Sequence, residues 1–188
     1  MVLLMLRLYR KTLLPLCVLF IAGCQQMAAN HMARAMFNYM PIPTQLIEKG
    51  WLERFQFSGI VDESILVSTE FSKLSITVVA LTFEGVPVTQ LQFDTQTHEL
   101  TTENTLGLEL DGKKIIYDMQ SAFWPLGMLE QNMRNDSKVI EFDNMLLRTR
   151  QFYRNGLLAR EITYNGAVTL LTEFEQNYRL KIERLEEY

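Results

Sequence analysis

The chain holds 188 residues, enough for one domain around a single core, and its 48% apolar against 21% charged side chains exclude the composition of a disordered chain. Its formal net charge is −4, but Arg7, Arg10 and Lys11 all precede Cys24 in a stretch without acids; beyond that stretch 15 basic side chains face 22 acidic ones. So acidic a body lacks the phosphate-neutralising cations that give nucleic-acid affinity, and nucleic acid is excluded as a partner.

The first element is a sorting signal. Arg7, Arg10 and Lys11 form a positive region, and residues 13–22 form an apolar run interrupted only by Pro15. That run is too short for the roughly 20 residues that cross a bilayer, and extending it would bring cations into hydrocarbon. The plan is that of a secretory signal peptide over residues 1–23. Its end, Ile21-Ala22-Gly23-Cys24, resembles the lipobox of bacterial lipoproteins. The resemblance implies diacylglycerol on the Cys24 thiol, cleavage before it, and acylation of the new amine by a fatty acid such as palmitate. Several acyl chains anchor far more durably than one, at about 0.8 kcal/mol per buried methylene. Gln25 stands where an Asp would signal inner-membrane retention in enteric bacteria, so the resemblance implies the outer membrane, facing the periplasm. Cys17 leaves with the signal, and the remaining body has no cysteine for a disulfide framework or a Cys-rich metal site.

Residues 24–43 read as a lipidated N-terminus and tether, with Met32, Met36 and Met40 at a helical interval and Pro41 and Pro43 as punctuation. From residue 44 to residue 188 a single domain is expected, and its period is two. Leu74, Ile76, Val78 and Ala80 alternate with Ser75, Thr77 and Val79, as do Tyr178, Leu180 and Ile182 with Arg179, Lys181 and Glu183. Similar runs occur at 55–60, 65–69, 88–93, 99–103, 106–110, 138–142, 147–153, 158–164 and 168–174. The pairs Glu84-Gly85, Asp111-Gly112, Asn155-Gly156 and Asn165-Gly166 between them predict tight turns, hence antiparallel neighbours. A meander of about ten strands is large enough to curl into a barrel or half-barrel. Residues 118–132 break the alternation with helical spacing, and Pro125 is expected to bend or split that helix. Its apolar face, with Phe123 and Trp124, would cover the concave side of the sheet.

Chemistry-bearing motifs are few. Gly107 to Lys114 nearly fits a phosphate-binding loop, but Lys114 replaces the metal-binding hydroxyl, and Leu108 and Leu110 alternate like a strand entering an Asp-Gly hairpin. His31 and His98 are the two histidines, and neither H-E-x-x-H, G-x-S-x-G nor S-x-x-K occurs, so metal and triad chemistry have no sequence support. Asp94 and His98 read as solvated turn residues. Arg148, Arg150, Arg154 and Arg160 fit either an acidic-partner site or, preferably, the outer face of strands.

Taken together, the lipobox, "SAFWPLGMLEQNM" (121–133), "RQFYRNGLLAREITYNG" (150–166) and "NYRLKIERL" (177–185) resemble a Gram-negative outer-membrane lipoprotein family of unknown function. Its members often sit among aryl-polyene or fatty-acid-like biosynthesis genes. The family looks like a distant relative of LolA and LolB, the periplasmic carrier and outer-membrane receptor for lipoproteins. This resemblance implies a mainly β fold, a curved antiparallel sheet forming an incomplete barrel covered by a helix. It supplies no catalytic residue and no cofactor.

A non-enzymatic protein is therefore expected, tethered through lipid on Cys24 and holding an acyl chain, lipid or lipoprotein in an apolar cavity. The candidate lining is Phe57, Ile76, Val78, Leu91, Phe93, Trp124, Leu180 and Ile182. The alternative is a structural or assembly lipoprotein that docks onto an envelope complex by a sheet edge, its apolar residues filling a closed core.

Overall fold

A computed structural model describes residues 35–58, 63–104, 111–144 and 147–188. All but Ala35 lie in one compact unit, Met36–Tyr188. Ten strands are present among them: β1 (Lys49–Ser58), β2 (Glu63–Phe71), β3 (Ser75–Leu81), β4 (Pro87–Asp94), β5 (Leu100–Asn104), β6 (Ser137–Asn144), β7 (Leu147–Arg154), β8 (Leu157–Asn165), β9 (Val168–Glu173) and β10 (Tyr178–Glu187). Two helices, α1 (Gly112–Phe123) and α2 (Leu126–Asn132), separate β5 from β6. The expected strand at 106–110 lies outside the described residues, as does Cys24.

The strands form one unclosed antiparallel sheet in the order β5-β4-β3-β2-β1-β10-β9-β8-β7-β6. It is two meanders, β1 to β5 and β6 to β10, sewn together where β1 pairs β10. There Phe55 faces Ile182 and Phe57 faces Leu180. The predicted turns at Glu84-Gly85, Asn155-Gly156 and Asn165-Gly166 each join antiparallel neighbours. Asn155 (φ 49°) and Gly156 (φ 81°) make the left-handed pair that matches the twist of β7 and β8. A Cβ on Gly156 would meet nothing within 4 Å, so backbone conformation alone selects glycine there.

The sheet must curl, because one helix touches both of its flanks. Gly112 of α1 is so close to β4 and β5 that a Cβ would fall 2.7 Å from Leu100. At the other end of α1, Arg150 of β7 bonds the Ser121 carbonyl at 2.8 Å. Strands β5 and β7 lie eight places apart in the order, about 38 Å across a flat sheet, whereas a helix of twelve residues is about 18 Å long. Curvature closes that difference.

Two expectations need correction. Asp111-Gly112 is a helix start and not a hairpin: Asp111 Oδ1 accepts from the Lys114 amide at 3.0 Å, so α1 begins at residue 112 rather than 118. Asp is as good an N-cap as it is a turn residue, which is why the pair misleads. The helical stretch then splits at the proline, as expected, with Trp124 extended before Pro125.

The second correction concerns the tether. Residues 36–42 form no helix; Phe37 makes an isolated antiparallel bridge with Met133, and Met36, Phe37 and Met40 are buried in the core. Side chains of α1 and of Trp124 just beyond it bond part of their backbone, and the Asn132 carbonyl accepts from the Asn38 amide. Met36 N–H donates to Tyr117 Oη at 2.7 Å, and Met40 exchanges hydrogen bonds with Gln120 at 3.1 and 2.9 Å. Trp124 Nε1 donates to the Pro41 carbonyl at 2.8 Å, and Phe37 stacks on Tyr117 at 4.2 Å. A four-residue Met interval fits a strand's period of two as well as a helix's, and the two prolines favour extension.

Candidate functional site

Between α1 and the β1/β10 seam lies a cavity of about 210 Å³. Phe55 and Phe57 of β1 and Leu180 and Ile182 of β10 supply its floor; Ile115, Met119 and Phe123, at intervals of four along α1, supply its roof. Asp111, Lys114, Asp118 and Tyr178 gather at one end. Of the residues expected to line a cavity, Phe57, Leu180 and Ile182 do so. Ile76, Val78, Leu91, Phe93 and Trp124 are buried elsewhere. Over β3 and β4 the helix comes too close to leave space: Gly112 rests on Leu91, and Tyr39 covers Phe93 with ring centroids 4.9 Å apart. Trp124 packs on Phe71 and is wholly buried, so Phe123 alone of the expected Phe-Trp lid faces the cavity.

Sequence reasoning missed Phe55, Ile115, Met119 and the polar end. The signal for the helical residues was present, since 115, 119 and 123 form one stripe, but it needs the helix to start at Gly112.

The polar end is an interlocked ion cluster. Asp118 Oδ2 accepts from Lys114 Nζ at 2.6 Å and from Tyr178 Oη at 2.8 Å, and Arg160 Nη2 stands 2.8 Å from Asp118 Oδ1. Arg160 also bonds Glu173 through Nε at 2.8 Å and Ser121 Oγ through Nη1 at 2.7 Å. Burial pushes the Asp118 carboxyl up, but Arg160 first and Lys114 second hold it below the usual carboxylate range. For Lys114 burial dominates and lowers the ammonium against the pull of Asp118. Burial, reinforced by Asp118, raises the Tyr178 hydroxyl far beyond ordinary titration. Lys114 also sits 3.6 Å above the centre of the Tyr178 ring.

Arg150 and Arg160 are thus not on the outer face of the sheet, as the sequence led one to expect. Both are buried, at 3% and 2% exposure. Arg150 closes the C-terminus of α1, donating to the Ser121, Ala122 and Trp124 carbonyls at 2.8, 3.3 and 3.0 Å while Glu141 balances its charge at 2.6 Å. Arg148 lies over the Tyr164 ring, and Arg154 pairs with Glu175.

At the opposite end Arg184 lies over Trp51 and 5.1 Å from the centre of Phe123. Its Nε and Nη2 both reach Glu53 Oε1 at 2.9 Å, and Glu53 Oε2 has no hydrogen-bond partner among the described residues. Burial raises the Glu53 carboxyl, and Arg184 only partly offsets it. Asp94 and His98 are turn residues: Asp94 Oδ1 accepts from the Gln96 and Thr97 amides at 2.8 Å, and exposed His98 has φ 58°. Among the described residues no cluster of His, Cys, Asp and Glu has the makings of a metal site, and no helix is long and apolar enough to cross a membrane.

A family model described as "Protein of unknown function (DUF3261)" matches residues 53–186. No curated protein matches the chain. Among solved structures, a domain described as an outer membrane lipoprotein-sorting protein from Vibrio parahaemolyticus aligns with a TM-score of 0.39 and 6% identity, covering 74% of this chain and 84% of that one. So slight a likeness does not bear on function.

Proposed function

The chain belongs to the DUF3261 family of proteins of unknown function, and from its geometry we propose that it is a non-enzymatic, lipid-anchored protein of the outer membrane, facing the periplasm, that binds or transfers an acyl chain. The carrying observation is the apolar cavity of about 210 Å³ between α1 and the seam. An apolar cavity of about 150 Å³ already holds benzene. The larger space here takes several methylenes, with the rest of a lipid or lipoprotein emerging past the half-buried Phe57 and Ile115. The lipobox at Cys24 supports the anchor. Extraction in mild detergent followed by mass spectrometry should recover a bound lipid or lipidated peptide. Clean protein from repeated preparations overturns the reading. Replacing Cys24 by Ser should leave an uncleaved precursor without fatty-acid label, and a labelled variant refutes the anchor.

A second reading has its own observation. The edge strand β6 exposes Ile140 and Phe142 on the outer side of the sheet, as a lipoprotein docking onto an envelope complex would. A stoichiometric protein partner recovered without lipid would favour it.

A further inference from the structure

The charges around the cavity say which form of acyl chain it takes. Three side chains that line its polar end are charged: Asp111, Lys114 and Asp118. Behind them stand Arg160 and Glu173, each bonded into the same cluster. Two cations therefore meet three anions, and Lys114 and Arg160 are both already engaged by Asp118. At the opposite end Arg184 is engaged by Glu53 and Glu187. Among the described residues, neither end keeps a cation in reserve.

A carboxylate leaving water needs such a cation, because an uncompensated buried charge is strongly disfavoured. A neutral carbonyl needs only a hydrogen-bond donor. Lys114 lines the cavity and carries three N–H groups; among the described residues one serves Asp118 and one face of the ammonium rests on the Tyr178 ring, which leaves donor capacity over.

Resting on the acyl-binding reading above, we propose that the cavity selects acyl chains whose carbonyl is esterified or amidated, and rejects free fatty acids, with Lys114 as the residue that receives the carbonyl oxygen. Asp111 is a positioning and screening residue, capping α1 while adding the anion that repels a carboxylate.

The test uses the full chain in maltoside micelles with two photoreactive probes, a diazirine-bearing hexadecanoate and its methyl ester, at mildly alkaline pH where the free acid is ionised. The ester should label peptides containing Phe55, Met119 or Leu180 about tenfold more than the acid, the factor that one well-placed hydrogen bond gives. Lys114→Met should lower ester labelling by about the same factor. Asp111→Asn keeps a side chain that caps a helix equally well, and should narrow the ester-to-acid ratio about threefold, as expected for one partly screened charge. Competition by unlabelled phosphatidylethanolamine or by a synthetic triacylated lipopeptide then distinguishes a membrane lipid from a lipoprotein as the source, and success of either supports the proposal. Equal labelling by both probes, or preference for the acid, overturns it while leaving acyl binding intact. Labelling of the cavity by neither probe removes acyl binding itself.

Discussion

Arg160 Nη2 lies 2.8 Å from Asp118 Oδ1 with both side chains sealed from water, so a buried ion pair ties the long helix to the middle of the second meander. Its worth is conditional. Two buried charges cost several kcal/mol each to desolvate, and their attraction with the surrounding hydrogen bonds repays this only while the cluster is complete.

Replacing Arg160 by Met should therefore destabilise the protein by about 3–5 kcal/mol, since Asp118 and Glu173 remain buried and lose their shared partner. Asp118→Asn should cost less, because Arg160 keeps Glu173. The double variant should be markedly less unstable than the two single effects added together. Urea unfolding at neutral pH measures all three.

Two carboxyl groups of opposite shift shape the response to acid. Burial raises Glu53 in the folded state, so between that raised value and the unfolded Glu value of about 4.3 the folded protein binds the extra proton, and stability rises as pH falls. Arg160 and Lys114 hold Asp118 low, so its contribution is full above the unfolded Asp value of about 3.9 and is lost as pH falls through the lower folded value. Melting temperature should thus pass through a mildly acidic maximum. Glu53→Gln should flatten the rise on its neutral side, and a maximum unchanged in that variant would contradict the assignment.

Gln120 is expected to hold residues 36–42 against α1. Gln120→Leu leaves both polar backbone groups of Met40 buried without their side-chain partner, at a cost of about 1–3 kcal/mol for each. Hydrogen exchange should read the change locally: the Met36 and Met40 amides should lose protection well before those of β1 and β10.

Filling the cavity should separate binding from folding. Ile115→Trp places an indole into a space of about 210 Å³ that is already present, so the overpacking penalty should stay at or below the usual 1–3 kcal/mol. Bound lipid should disappear from the purified variant while its thermal transition moves by only a few degrees.

The sheet was legible because each strand buries one face, and a period of two survives in β3, β4 and β10 without knowledge of their partners. Gly-containing turns gave the antiparallel order. The cavity was only partly legible: Phe57, Leu180 and Ile182 were identifiable as inward-facing, but that they meet over empty space depends on the pairing of β1 with β10, which no local pattern encodes. Arg150 and Arg160 misled for the opposite reason. Charge normally marks an outer face, and only the exposed carbonyls at the end of α1 and the carboxylates of Asp118, Glu141 and Glu173 make an inner position tolerable for them. Asp111-Gly112 is ambiguous at any range shorter than the helix it begins.

The seam between β1 and β10 also fixes an order in time. The Glu53–Arg184 bond joins residues 131 positions apart, and every other neighbouring pair of strands within each meander is consecutive in the chain. Each meander can zip from its own turns, but joining the two must wait for a large loop to close, the slow kind of contact. The cavity floor is made of these two strands, so a nascent chain has no cavity until β10 has emerged and docked. A chain cut short before Tyr178 would retain most of its sheet-forming sequence and none of its seam.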